Sequence, residues 1–517
     1  MAQKYKMWKI RDFSAGQIEK LNDNILPDNA SYECRNFISS RFGGLSKRRG
    51  QEQVGPTIPG GHIQGLHPYY SRTTNDRYLI AMAGGAPYMW DGSTWTELVP
   101  ASGGGDIQFP DTRYPLVGTF LFGDGLTPAT GSVMWGEQDS FTTLDPAAPV
   151  LFVDAVNYFV GMNGINQPFK YDGVNITDLL NAPATGRYPI LHKEKIFCVD
   201  ATDPSTLVWS DSFAPETWPA INYWDIAKDD GDVITCLVKY IDDLVIFKNR
   251  SCYALKGTSL DDFVLQEINS RMGCVGPRAA AMHELKVFFI SESGFCTTNG
   301  MNVINISEMV IPDIWANVNK QYLHKAVLGV WEDLIWIAVP YGSVTDNNMI
   351  IMYDPKKQAF FPMDNIDVSC FTYFNDGTGL KLFAGDPNTG RVSIQAIGTE
   401  DFGSPVEAYW RGKFFDMDMP ELEKKSRKVF VQDSPSTAGT IDISVCLDYE
   451  TDVGGDLVYN NLSYYRTENY TREYNLDYDK NRWRYISPLV KHESAGNCEI
   501  RGILIPYRSK STPAVRS

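Results

Sequence analysis

The chain has 517 residues, too many for one compact core, and it carries 63 acidic against 47 basic residues for a net charge of −16. That balance argues against holding nucleic acid through its phosphates, which needs a basic footprint. No run approaches about 18 consecutive apolar residues, so no transmembrane helix is expected. The 43 Gly and 29 Pro, without a long Ala/Leu/Glu/Lys-rich periodic stretch, favour short strands joined by turns.

Residues 1–13 contain basic side chains but no apolar run ahead of a small-residue cleavage site, so no signal peptide is expected. Residues 1–60 read as an N-terminal docking segment. Within it, Asp28-Asn29 ahead of residues 30–37 predicts a short capped helix. The segment ends in Lys47-Arg48-Arg49-Gly50, which reads either as a solvated surface or as a contact with an acidic partner or DNA.

Next comes a passage that repeats. Tyr78, Met82, Gly84, Pro87, Asp91, Gly92, Thr96 and Leu98 recur as Tyr158, Met162, Gly164, Pro168, Asp172, Gly173, Thr177 and Leu179. Arg113-Tyr114-Pro115 recurs as Arg187-Tyr188-Pro189, and residues 133–137 recur as 207–211. The landmarks predict a duplicated unit of about 75–80 residues, each half about 40 residues, the length of one propeller blade. Apolar runs of strand length continue at 78–82, 120–122, 158–161, 195–199, 244–247, 287–290, 334–339 and 380–384. The turns between them are rich in Gly, Asn and Asp, as hairpins require. Residues 61–403 are therefore expected to form a β-propeller of six to eight blades.

From about residue 404 the texture changes. A basic stretch holding Lys424, Lys425, Arg427 and Lys428 precedes alternating segments at 429–431, 440–447, 463–465 and 499–505. Ile441, Ile443, Val445 and Leu447 share one face at period two. Residues 404–517 are expected to form an antiparallel β-sandwich with an irregular tail from 508. The fold class expected overall is all-β, a propeller followed by a sandwich.

No catalytic motif stands out. Asp91-Gly92-Ser93-Thr94-Trp95 is a partial look-alike of the turn in sialidase propellers but lacks the upstream Ser-x-Asp, so a hairpin turn explains it better. The run Asp229-Asp230-Gly231-Asp232 resembles part of a calcium loop without its full ligand series. The nine cysteines form no tight pair, which suits buried free thiols made in a reducing cytosol. The tryptophans fall at repeated strand ends, which suits blade packing better than a carbohydrate surface. No catalytic, cofactor or metal residue is expected.

One resemblance adds to this. Gly16-Gln17, the stretch Ile25-Leu26-Pro27-Asp28-Asn29-Ala30-Ser31, Asn36-Phe37 and Gly43-Gly44-Leu45-Ser46-Lys47-Arg48-Arg49-Gly50 resemble the opening of bacteriophage tail nozzle proteins, also called tail tubular protein B. The passage from Arg187-Tyr188-Pro189 to Trp218 is similar to the blade pattern of phage hub and nozzle propellers. The resemblance implies a non-enzymatic virion structural protein, made in the host cytoplasm. It would form a hexameric ring below a portal and adaptor, with contacts to tail fibres and no membrane insertion, and double-stranded DNA would pass through without specific binding. The candidate interface residues are Lys47, Arg48, Arg49, Lys424, Lys425, Arg427 and Lys428. The competing expectation is a β-propeller glycan-binding protein or polysaccharide-degrading enzyme, with carboxylates and exposed aromatics clustered in one propeller mouth.

Overall fold

The computed structural model describes residues 5–19, 25–71, 76–99, 141–155, 158–434, 436–449, 463–467, 471–476 and 481–510. They form a seven-bladed β-propeller joined to a β-sandwich. Six blades are four-stranded antiparallel sheets, and the seventh lies within a six-stranded sheet. The innermost strands of blades 1 to 7 are Ile63–Tyr70, Leu151–Asp154, Gly186–His192, Ile234–Tyr240, Ala280–His283, Val327–Trp331 and Cys370–Asn375. Each innermost strand touches the next, and the last touches the first, so the circle closes.

The second strand of every blade carries an apolar run. Arg77–Ala83, Phe159–Met162, Lys195–Asp200, Asp243–Lys248, Lys286–Ser291, Leu334–Val339 and Leu380–Gly385 are mostly buried along their length. A blade packs on a neighbour through each face, so its second strand reads as a continuous apolar run. These strands account for seven of the eight apolar runs in the sequence; the run at 120–122 lies outside the described residues.

The repeated passage occupies equivalent places in consecutive blades. Residues 77–97 supply the outer three strands of blade 1, and residues 159–178 those of blade 2. Asp91 accepts the amides of Ser93 and Thr94, each at 2.8 Å; Asp172 accepts those of Val174 and Asn175 at 2.8 and 2.7 Å. Gly92 and Gly173 both sit near φ +100°, where a Cβ would strain the turn. Leu98 N–H donates to Pro87 O as Leu179 N–H does to Pro168 O. In the second copy the unit spans two blades, residues 159–178 lying in blade 2 and the landmarks at 187–189 and 207–211 in blade 3. The first copies of the other two landmarks, at 113–115 and 133–137, lie outside the described residues.

The propeller is closed by the N-terminal region. Strand Gly50–Gln53 pairs with Val392–Ile397 and completes blade 7 as its fourth strand. A Cβ at Gly50 would lie 1.9 Å from Glu400 O, so only glycine fits this approach.

The sandwich stacks a nine-stranded sheet on a five-stranded one, and both take strands from each end of the chain. Lys6–Ile10 pairs with Glu499–Ser509, and Ala30–Arg35 pairs with Ala408–Gly412. The core between them includes Phe13, Phe37, Trp410, Tyr474 and Trp483. Ile441, Ile443, Val445 and Leu447 all face it, as their alternation predicts.

Three expectations are corrected here. The segment 1–60 is no separate docking element, because its described strands build the sandwich and close the propeller. Residues 30–37 form strands, not a helix: Ala30–Arg35 finds hydrogen-bond partners in the sandwich, and Asn36 at φ 57° breaks the chain before Phe37–Ser39. The last strand runs on to Ser509, past the irregular tail expected from 508.

Candidate functional site: the basic joint and the axial cavity

The basic residues expected at an interface divide by strand alternation. In Leu45–Lys47, Leu45 and Lys47 point inward. Lys47 is 6% exposed; its Nζ donates to Ser494 O at 2.9 Å and lies 3.2 Å from His492 Nδ1. Burial lowers its pKa. Arg48 is 4% exposed and ties together sandwich and propeller. Its Nε donates to Asn36 Oδ1 at 2.8 Å, and its two terminal nitrogens reach Asp401 at 3.0 and 2.5 Å. Asn36 in turn donates to Asp364 and Glu407 O and accepts the Asp364 amide. Arg49 alone of this cluster is exposed.

The second cluster divides the same way. Lys424 is 0% exposed; its Nζ donates to Met419 O, Leu422 O and Arg484 O at 2.6–3.0 Å and sits 5.5 Å from the Trp483 ring. Burial lowers its pKa as well. Lys425 is half-buried, Arg427 is exposed, and Lys428 pairs with Glu473 on the neighbouring strand. Lys47, Arg48 and Lys424 are therefore internal struts of the folded chain, a correction to their expected place at an interface. A buried cation needs an ion-pair or hydrogen-bond partner: Arg48 has Asp401, Lys424 three carbonyls, and Lys47 one carbonyl and an imidazole nitrogen.

The run at 229–232 is structural too. Asp230 holds the buried Lys248 at 2.8 Å, and Asp232 accepts the backbone amides of Asn249 and Arg250 at 3.2 and 2.9 Å. All nine cysteines are buried free thiols, and burial raises several of them, Cys34 and Cys252 to about 12. Among the described residues no group of three His, Cys, Asp or Glu is placed to hold a metal ion.

Two hollows flank the propeller axis. At the end where each blade hands over to the next lies a cavity of 830 Å³ lined by residues of six blades and of the crossovers on either side of blade 5. Arg278 of the blade 4–5 crossover lies in its wall. The guanidinium donates to Ser369 O at 3.0 Å, Gln64 O at 2.5 Å and Val150 O at 2.7 Å, linking blades 7, 1 and 2. A Cβ at Gly65 would lie 2.3 Å from Val150 O, so glycine permits this convergence. The opposite end holds a cleft of 490 Å³ among blades 7, 1 and 2, lined by Tyr70, Tyr158 and Tyr373 with Arg77, Asp154 and Asn375. His67 Nε2 lies 2.9 Å from Asp154 Oδ1 beside it. Sequence reasoning singled out neither hollow, since each gathers residues from blades far apart in the chain.

No protein-family model and no curated protein matches this chain. Solved structures do resemble it at low identity. The computationally designed Ika8 protein is 10% identical, with a TM-score of 0.36, covering 67% of this chain and 100% of its own. BamB from Moraxella catarrhalis is 9% identical, with a TM-score of 0.38, covering 75% and 97%. PorZ, a bacterial surface component of the type-IX secretion system of Porphyromonas gingivalis, is 11% identical, with a TM-score of 0.37, covering 73% of this chain and 44% of its own. None of these three is a phage tail protein.

Proposed function

We propose that the chain is a non-enzymatic structural subunit of a bacteriophage tail, a nozzle or hub protein that packs side by side into a hexameric ring around the path of the ejected genome. Its place would be in the virion tail, below a portal and adaptor. The observation that carries this reading is the role of the residues behind the resemblance. Gly16 packs where a Cβ would lie 2.5 Å from Phe360 O, Asn36 and Arg48 form the joint, and Gly50 closes blade 7. The resemblance thus rests on residues that determine how propeller and sandwich are joined, which supports kinship in architecture beyond shared composition. Rings close through heterologous contacts, and a propeller tied to a sandwich at both ends of its chain is a stiff block for that purpose. The net charge of −16 suits a lumen that repels phosphates and lets DNA slide.

A second reading has one observation in its favour. The cleft with Tyr70, Tyr158 and Tyr373 beside Arg77, Asp154 and Asn375 combines ring faces with polar groups, as a glycan site does. Light scattering of the purified chain, alone and with adaptor, together with polysaccharide binding, separates the two. A closed oligomer without glycan affinity supports the tail reading; a monomer whose polysaccharide binding is lost in Tyr158→Ala supports the second.

A further inference from the structure

Among the described residues, Arg187 is the one Arg or Lys lining the axial cavity whose charged group has no hydrogen-bond or ion-pair partner. Three innermost strands open with an extra residue relative to their partners: blade 1 between Ile63 and Gly65, blade 4 between Ile234 and Cys236, and blade 3 between Arg187 and Ile190. Such bulges re-aim side chains. In blade 1 the re-aimed Gln64 is fully used, donating to Asp145 O and Ala148 O and accepting the Gly85 amide. In blade 4 Thr235 donates to Cys274 O at 2.7 Å. Both stitch their blade to other parts of the wheel.

Blade 3 differs. Among the described residues the Arg187 guanidinium has no hydrogen-bond or ion-pair partner; its Nε is buried and unsatisfied, and only the Tyr188 ring lies over it, at 4.9 Å. Tyr188 itself is held at φ 59°, a left-handed conformation that a bulky residue adopts only under constraint. The extra residue of blade 3 falls at Tyr188-Pro189, while Arg187 stays in register opposite Val199, so an unpartnered cation stands at the cavity wall directly beside a strained bulge.

The remaining charges in the cavity are already engaged. Lys325 pairs with Asp346 at 2.7 Å, Arg278 is spent on three carbonyls, and the Asp145 carboxylate accepts the Ala147 amide at 2.8 Å. With Arg187, Arg278 and Lys325 facing Asp145 and Asp346, the cavity is net cationic inside a chain of net charge −16. It also holds a free acceptor. Asn347 is buried, its amide nitrogen is committed to Lys325 O and Val368 O at 2.8 Å each, and its Oδ1 has no partner. At 830 Å³ the cavity falls in the range of small-molecule sites, about 300–1,000 Å³.

We propose that the axial cavity binds a small hydroxylated molecule carrying an anionic oxyacid group, a carboxylate or a phosphate, with Arg187 gripping the anion and Asn347 Oδ1 accepting from a hydroxyl. The planar guanidinium suits two oxygens of one such group at once. The site is independent of whether the chain assembles into a ring.

Isothermal titration and thermal melting of the full chain, with glucuronate, glucose 6-phosphate, inorganic phosphate and glucose as probes, test this. At least one of the two charged sugars is expected to bind in the millimolar range or tighter and to raise the melting temperature, more than inorganic phosphate does and with no effect from glucose. Arg187→Gln should weaken that binding about 10- to 100-fold. Arg187→Lys should recover part of it, and circular dichroism should be unchanged because among the described residues the guanidinium makes no hydrogen bond or ion pair. Failure of both charged sugars to bind, or binding unaltered in Arg187→Gln, overturns the site. Inorganic phosphate binding as tightly as glucose 6-phosphate, with glucuronate not binding, overturns the hydroxyl contact at Asn347.

Discussion

At the scale of single residues, the joint between propeller and sandwich depends on Arg48. Its guanidinium satisfies Asn36 and Asp401 at once, and both partners lie in segments that meet only in the folded chain. Arg48→Met leaves the Asp401 carboxylate without its cation in a largely dry site and removes one of the two donors to Asn36 Oδ1. Chemical denaturation should show a loss of about 3 kcal/mol. Arg49→Glu, one position on and exposed, should change stability by no more than about 0.5 kcal/mol. Equal effects from the two variants would contradict the assignment of Arg48 as an internal strut. The cluster looks solvated in sequence because four consecutive polar residues carry no hint of their partners. Period two was the available signal: Leu45 and Lys47 share the inward face, and so do Lys424 and Ser426.

Legibility changes from element to element within a blade. Second strands are readable from sequence because both faces are covered, and Leu334–Val339 is apolar at nearly every position. Several fourth strands are short and partly solvated, and Trp95–Glu97 or Val303–Asn305 has no pattern to read. The closing strand Gly50–Gln53 reads Gly-Gln-Glu-Gln, with no apolar residue at all. Its place is fixed by partners such as Gln395, 344 positions away from Gln51, which local periodicity cannot register. The axial cavity was hidden for the same reason, although its Arg187 stood in a repeated landmark. Closure makes a sharp prediction. Gly50→Ala puts a methyl against Glu400 O with no flexible side chain to yield, and it should cost about 2 kcal/mol or more. Limited proteolysis should then cut first around residues 50–60. A variant as stable and protease-resistant as the parent would show that this strand does not close blade 7.

For the whole molecule, acid should act in two stages. Burial lowers the pKa of His192 to about 4 and that of His62 and His492 below the usual value. His192 and His492 are also almost fully buried, and His492 Nδ1 faces Lys47. A depressed imidazole means that the unfolded chain binds the proton first, so this stability is complete above about pH 6.5 and falls as pH drops toward 4. Asp91, Asp262 and Asp376 are held at about 2, the first two by amides of their own turns and Asp376 by Lys381 and Thr378 against some burial. Their contribution is present above about pH 4 and is lost as pH falls toward 2. Glu19 and Asp367, raised by burial, act in the opposite sense and soften the second stage. Melting temperature against pH should therefore decline from about 6.5, with a steeper fall below about 4. Replacing His492 with Gln should flatten the first stage, and a profile level down to pH 4 would contradict the assignment.

The central claim is that this block is a building unit of a ring around a DNA path. Cryo-electron microscopy of phage particles that carry the chain tests it most directly. The account predicts six copies in a closed ring below the portal and adaptor, with an acidic lumen, and with Lys47, Arg48 and Lys424 inside each subunit. Particles in which the chain is absent from the tail axis, or a ring whose lumen is lined by basic side chains, would contradict it.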